Sequence, residues 1–369
     1  MTAQPKLDCL LITYPIEKIH QDVFEKLRAN FKRVEFFAGD DGSGCSSEYG
    51  EIALPTAEAL AEADVILAQE IPSNVTSILQ TPKLKMWQVL ASGVNQIIDS
   101  DFYRSIPAEH PLVISNLAGC HAVSIAEHVI MTTLMHFHKM NLCTEAQRRA
   151  HWASSTELGG LHIRELRNAT VGILTYGNIS REIARLASSF GANVIVCTRD
   201  GKSRPQTGFR IEGTGDVEGA IPSKYFTTEK ASLHEFLAAS DVVVSMMPGS
   251  SATERFIGRD EFTAMKDNAL FVNAGRGNTV DTAALIEALS STKPAMGVSG
   301  TLAIGGASLD VTDPEPLPEG HPLWTMPNVI ITPHCSWASE NIYKRVVDLL
   351  LENRQLVEDG SPALNAVRS

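Results

Sequence analysis

Val171-Gly172-Ile173-Leu174-Thr175-Tyr176-Gly177-Asn178-Ile179-Ser180 reads as the end of a strand, a tight turn and the start of a helix. Ile179, Ile183, Ala184, Ala187 and Phe190 recur on one face of that helix. In this position G-x-G-x-x-G carries a dinucleotide. Its first glycine makes the turn, its second lets backbone approach a pyrophosphate, and its third lets helix and strand pack closely. Only the second is kept here, as Gly177, with Thr175 and Ser180 at the other two places. The motif alone is a weak match. Its context is stronger, because the next strand, Asn193–Thr198, comes at the distance a βαβ unit requires.

Short β-branched runs alternate with helical patterns on both sides of this stretch. They lie at 7–13, 33–37, 64–68, 86–91 and 111–115, and again at 170–175, 193–198, 241–247, 269–273, 307–311 and 328–332. Such alternation implies an α/β protein with two doubly wound parallel sheets. At 369 residues the chain is too long for one ordinary core, which also favours two domains. Ala126, Val129, Ile130, Thr133, Leu134 and Phe137 form a helical stripe between the two groups. Ile342, Val346, Leu349, Leu350 and Val357 form another, which returns the chain to the first domain. The expected division is 1–115 completed by 336–369, and 116–335, with a site in the cleft outside the carboxyl ends of the strands. Two stretches read as irregular: 201–222, rich in Gly, Pro and charge, and 290–306, between an Asp281-capped helix and the strand that carries Asp310.

Hydrophobic residues at 44% and charged residues at 20% describe a globular chain. A net charge of −12 argues against unaided nucleic-acid binding, which needs a basic stripe. Cys9, Cys45, Cys120, Cys143, Cys197 and Cys335 are scattered without a C-x-x-C pair, which points to reduced thiols rather than a disulfide framework or a metal site. Packing is the role expected of Cys335. Residues 1–13 lack a basic segment leading into an apolar one, and no apolar run reaches membrane-spanning length, so a cytoplasmic location is expected.

Arg276, Glu315 and His334 each come just after a strand of the second group. An arginine grips a carboxylate with two parallel hydrogen bonds. A histidine moves a proton near neutral pH, and a carboxylate beside it fixes its tautomer and favours its charged form. Reduction of a 2-oxo acid requires these three groups. Each alone has a bland reading: a helix cap, a loop carboxylate, a satisfied histidine. Their shared placement at strand ends makes the joint bland reading weak. Where a domain that prefers NAD places an acid, the strand Asn193–Thr198 ends in Thr198, and Arg199, Lys202 and Arg204 cluster behind it. That favours NADPH, with NADH also accommodated. The alternative is a basic surface loop partly cancelled by Asp200.

With these residues in place, the chain resembles the D-isomer-specific 2-hydroxyacid dehydrogenase family. The likeness runs from Ala91-Ser92-Gly93-Val94 through 119–128, with Ala126-Glu127-His128, to Pro333-His334-Cys335-Ser336-Trp337. Gly213-Thr214-Gly215-Asp216, Ser232-Leu233-His234-Glu235-Phe236-Leu237 and 310–318 look like the branch found in filamentous fungi. Formate dehydrogenases of the superfamily are less similar, since they carry glutamine where Glu315 stands. The resemblance implies a flavodoxin-like substrate domain, discontinuous in sequence, and a Rossmann coenzyme domain through which two copies pair. It implies that Arg276 binds the substrate carboxylate and oxo group, that His334 is the acid–base with Glu315 as its partner, and that backbone around Ser92, Gly93 and Val94 holds substrate. Tyr176, Gly177, Asn178, Ile179, Thr198, Arg199, Lys202, Arg204, Pro248, Ala274, Asp310 and Trp337 are the implied coenzyme contacts. The implied activity is reduction of glyoxylate-like or hydroxypyruvate-like acids. The other reading is a dinucleotide-sensing scaffold with the same fold, as in the C-terminal-binding-protein corepressors. Against relatives, 290–306 is about ten residues longer than the usual short connection.

Overall fold

A computed structural model describes residues 6–14, 21–37, 54–160, 162–290 and 303–368. The extra length within 290–306 falls mainly on 291–302, outside the described residues. The chain packs as two compact units, Met1–Cys120 with Glu340–Ser369, and His121–Ser339. The divisions come a few residues beyond those read from the sequence, for a local reason at each. Leu117 N–H donates to Ala91 O and Asn365 Nδ2 to Ala118 O, tying that segment to the first unit. Ser336 is bound instead to Asp310 in the second unit.

The first unit holds β1 (Cys9–Ile12), β2 (Arg33–Phe36), β3 (Val65–Ala68), β4 (Met86–Val89) and β5 (Val113–Ser115), with β13 (Ala366–Arg368) at its edge. Their order is β13-β5-β4-β3-β1-β2, a flavodoxin-like arrangement in which chain order reverses between β1 and β3. All pairs are parallel except β13 with β5, which runs antiparallel. That edge strand, only three residues long and largely exposed, was not visible in the sequence.

The second unit holds β6 (Thr170–Leu174), β7 (Asn193–Thr198), β8 (Lys224–Thr227), β9 (Val242–Ser245), β10 (Leu270–Asn273), β11 (Gly306–Leu309) and β12 (Val329–Ile331). Their order, β12-β11-β10-β9-β6-β7-β8, reverses between β9 and β6. Strand residues alternate between two cores, as a pleat demands. Val171, Ile173, Val194, Val196, Val242, Val244, Leu270 and Val272 face the helices Ala122–Phe137 and Asn178–Ser189. Leu174, Ile195, Cys197, Val243 and Phe271 face the other side, with Leu233, Phe236 and Phe262. The helical stripe of Asn178–Ser189 buries Ile183, Ala184 and Ala187 but leaves Phe190, just past its end, 46% exposed. Asp281 caps the helix Thr282–Ser290 as expected, its Oδ1 accepting from Ala284 N–H at 3.0 Å.

The final helix, Ile342–Glu358, is locked to the first sheet by one buried amide. Asn353 Nδ2 donates to Gln88 Oε1 (3.2 Å), Ser115 Oγ (3.0 Å) and Leu364 O (3.2 Å), and its Oδ1 accepts from Leu364 N–H (2.7 Å). Asn353, Gln88 and Ser115 are all fully buried. Ser115 Oγ would still donate to Leu364 O, but Asn353→Leu would leave Gln88 Oε1 and Leu364 N–H without partners, at roughly 1–3 kcal/mol per unsatisfied buried group before relaxation. Urea unfolding of the variant should show a loss of about 3 kcal/mol. A loss below about 1 kcal/mol would mean that water replaces the amide and that the lock is not structural.

Candidate active site

β10 ends at Asn273, whose buried amide shapes the turn beyond it. Its Oδ1 accepts from Gly275 N–H (3.1 Å) and its Nδ2 donates to Arg276 O (3.1 Å). Arg276 thus leaves the sheet edge with an exposed side chain that, among the described residues, donates only to Gly275 O, at 2.8 Å. No carboxylate among the described residues pairs with it. The next residue must be glycine, since a Cβ there would lie 1.8 Å from Thr312 O. That close approach sets the Arg276 turn against the segment after β11.

Asp310, one residue past β11, is 3% exposed and builds the turn that carries His334. Its Oδ1 accepts from Thr332 Oγ1 (2.6 Å) and Cys335 N–H (3.1 Å), and its Oδ2 from Ser336 N–H (3.3 Å) and Ser336 Oγ (2.5 Å). Asp310 O accepts from His334 N–H at 2.9 Å. Because the Thr332 hydroxyl spends its proton on Asp310, it accepts from His128, whose Nε2 lies 3.3 Å away. Burial lowers the pKa of His128, with Asp310 opposing, which suits that neutral donor. Within this turn His334 has φ +50°, a left-handed conformation that an L side chain adopts at some cost.

The turn aims His334 Nδ1 at Glu315 Oε1, 2.6 Å away, while Glu315 Oε2 accepts from Thr312 N–H at 3.4 Å. Both side chains are about two-fifths exposed, so the pair is open on one side. A carboxylate on Nδ1 leaves Nε2 to exchange a proton with a reacting group. Cys335, expected to pack, is exposed; its backbone N–H serves the turn rather than its thiol. Trp337 is 38% exposed and meets His121 edge-on at 6.2 Å.

At the carboxyl end of β6, Thr175 has φ +73°, the backbone that the motif's first glycine normally supplies. Its N–H donates to Cys197 O (2.9 Å) and its hydroxyl to Met246 O (3.2 Å). A Cβ on Gly177 would meet nothing within 4 Å, so the backbone there is open to a close ligand such as a pyrophosphate. Gly177 caps the twelve-residue helix Asn178–Ser189, whose first N–H groups lie beside it. Ile179 is half-buried, and Ser180, at the third glycine's place, is 1% exposed. The residues fit a dinucleotide. At the end of β7, Thr198 Oγ1 accepts from Gly201 N–H (3.1 Å), Arg199 and Lys202 are exposed, and Arg204 is paired with Asp200. That pairing holds the Asp200 carboxyl down to about 2. Pro248 is exposed after β9, and Ala274 lies 8% exposed after β10.

The structure therefore brings Glu315, His334 and Asp310 together and fixes Arg276 on the neighbouring strand end. Ser92, Gly93 and Val94 belong to the other unit, in the turn after β4. There Ser92 O accepts from Asn116 Nδ2 (3.1 Å) and Gly93 O from Gln96 Nε2 (3.3 Å). Reasoning from sequence missed the clamp of Thr332, Cys335 and Ser336 on Asp310, and His128 behind Thr332. Only the polar run from Thr332 to Ser336 hints at it, since Asp310 lies more than twenty residues away.

Comparison with known proteins gives the family of the fold. The family model for the "D-isomer specific 2-hydroxyacid dehydrogenase, NAD binding domain" matches residues 130–336. The chain belongs to that family of NAD(P)-dependent oxidoreductases. Among its relatives, a glycerate dehydrogenase from Methylorubrum extorquens is 26% identical over 83% of this chain and 86% of its own. A glyoxylate/hydroxypyruvate reductase B from Serratia proteamaculans is 26% identical over 84% and 86%. The solved D-isomer specific 2-hydroxyacid dehydrogenase of Xanthobacter autotrophicus, in complex with NADPH and MES, is 27% identical, covers 98% of both chains and has a TM-score of 0.71.

The left-handed turn at Thr175 is testable without a ligand. Thr175→Ala loses the bond to Met246 and keeps the backbone cost, whereas Thr175→Gly loses the bond and relieves that cost. The glycine variant should therefore be more stable than the alanine variant by about 1 kcal/mol in chemical denaturation. The reverse order would contradict a positive φ at this position.

Proposed function

We propose that the protein is a cytoplasmic, NADPH-preferring reductase of small 2-oxo acids of the glyoxylate and hydroxypyruvate type, giving (R)-2-hydroxy acids. The observation that carries this is the 2.6 Å contact of His334 Nδ1 with Glu315, on a turn neighbouring an arginine that has no carboxylate partner among the described residues. Arg276 offers its fork of donors to the substrate carboxylate and oxo group. Ser92, Gly93 and Val94 keep the assignment to substrate that the family likeness gives them. The nicotinamide, when bound, supplies the hydride. His334, held through Nδ1 by Glu315, gives its Nε2 proton to the carbonyl oxygen as negative charge develops there, and Arg276 stabilises the same oxygen. Tyr176, Gly177, Asn178 and Ile179 are assigned to the pyrophosphate, and Pro248, Ala274 and Trp337, with the backbone at Asp310, to the nicotinamide side.

The absence of an acid at Thr198, with Arg199 and Lys202 beside it free of ion pairs among the described residues, supports preference for a 2′-phosphate. The NADPH bound by the Xanthobacter relative is consistent with this. A homodimer formed through the coenzyme-binding unit is supported by its apolar surface. Met131, Met140 and Phe190 are each nearly half exposed and line one depression with Leu134 and Leu186, while Trp152 projects 97% exposed nearby in sequence. The free cysteines among the described residues support a reducing compartment.

NADPH oxidation with glyoxylate, hydroxypyruvate and branched 2-oxo acids tests the proposal. Turnover should be fastest with the small acids. Tight NADPH binding without turnover of any of them would favour a dinucleotide-sensing scaffold. His334→Ala should lower kcat roughly 10²–10⁴-fold with coenzyme binding nearly intact. Glu315→Gln should lower kcat, because the amide no longer fixes the tautomer and aim of the His334 ring. An unchanged kcat would remove Glu315 from the mechanism.

A further inference from the structure

Residues 199–222 form neither helix nor strand, yet this long connection is not loose. One buried guanidinium gathers it. Arg181, 5% exposed, sits one turn into the helix that begins beside Gly177. Its Nε donates to Tyr176 O (3.2 Å), its Nη1 to Asp216 O (2.5 Å) and its Nη2 to Arg204 O (2.7 Å). The same group lies over the Tyr176 ring at 4.7 Å. A single planar fork thus spans three backbone carbonyls from the dinucleotide turn and from both arms of the connection. Lysine, a point donor, cannot do this.

The neighbouring contacts have the same sense. Tyr176 Oη donates to Asp216 Oδ2 (2.7 Å), and that carboxylate also accepts from Ala220 and Ile221 N–H. Burial opposes ionisation of Asp216, but these bonds and the Arg181 charge outweigh it, and its pKa falls below the ordinary range. Asn178 Oδ1 accepts from Gln206 Nε2 (2.9 Å), and Glu182 Oε2 accepts from Gly215 N–H (2.7 Å). Residues 176–182, which include the dinucleotide turn, are therefore fastened to 204–216.

We propose that Arg181 is a positioning residue for coenzyme selection, holding the basic arm of Arg199 and Lys202 ordered for the 2′-phosphate of NADPH. The inference rests on the NADPH preference argued above. Arg204 is already committed to Asp200, so Arg199 and Lys202 are the cations of this cluster left for a phosphate. Both are exposed, and an exposed arm that orders only on contact charges its lost freedom against binding. Arg181 moves that cost to folding. NADH makes no 2′-phosphate contact and gains little from an ordered arm. Loss of Arg181 therefore separates the two coenzymes, whereas a merely structural role would affect both alike.

The test is fluorescence titration of the full-length wild type, Arg181→Gln and Arg181→Lys with NADPH, NADH and adenosine 2′,5′-bisphosphate. Both variants should bind NADPH and the bisphosphate about tenfold more weakly and NADH within about twofold of wild type. Gln206→Ala removes the bond that Gln206 donates to Asn178 Oδ1 and is the milder probe if Arg181 variants fold poorly. It should show the same asymmetry at about threefold. Equal weakening of NADPH and NADH, or an unchanged ratio, would overturn the role of Arg181. A wild type that does not distinguish the coenzymes would overturn the NADPH reading itself, and this inference with it.

Discussion

The carboxylate of Asp310 is the constraint on which the candidate site depends. It is buried at the end of β11, and both its oxygens accept from the segment after β12. A chain leaving a strand would not by itself enter a left-handed turn at a histidine. The donors of Thr332, Cys335 and Ser336 converging on one anion offset that cost, because charge-assisted hydrogen bonds are about twice as strong as neutral ones. That turn gives His334 Nδ1 its reach to Glu315 and leaves open the Nε2 edge that proton transfer needs.

The fold places these groups by ordinary means. Parallel strands, with β10 and β11 buried on both faces and β12 at the sheet edge, bring their ends to one side of a sheet, and loops at those ends carry the polar work. The same side carries the Gly177 turn, at the end of β6, where strand order reverses. Small residues set the spacing between neighbouring turns. Gly277 lets the Arg276 loop lie against Thr312 O, and Gly177 leaves backbone bare. Positioning is thus spread over the sheet edge, while chemistry is confined to a few side chains.

Much of this was legible in the sequence, and the parts that were not share a physical cause. Most strands read from β-branched runs, such as β1, β3, β4, β9 and β10, are buried along their whole length, which leaves a compositional trace. The half-buried β2 and β12 keep it in Val34 and in Val329, Ile330 and Ile331. β8 and β13 are edge strands with one or no buried residue, so they leave little trace. Arg276, Glu315 and His334 were readable because their types are rare at strand ends without a role. The clamp on Asp310 and the fastening of 204–216 by Arg181 were not, since hydrogen bonds between residues twenty or more apart carry no periodic signal. Thr175 shows the opposite case. The glycine pattern named the backbone conformation correctly, and the residue adopts it without being glycine, compensated by the bond from its hydroxyl to Met246.

Asp310→Asn tests this account most directly, because the amide cannot accept all the N–H and O–H donors that now converge there. With the turn misplaced, the proposed acid loses its aim, and displacement of a reacting group by about 1 Å is worth about 10²-fold in rate. Steady-state kinetics with hydroxypyruvate and parallel NADPH titration of the folded variant should therefore show kcat lowered about 10²-fold and coenzyme affinity changed less than about threefold. Wild-type kcat combined with weakened NADPH binding would contradict the account, because the Asp310 carboxylate would then serve the coenzyme and not the histidine turn.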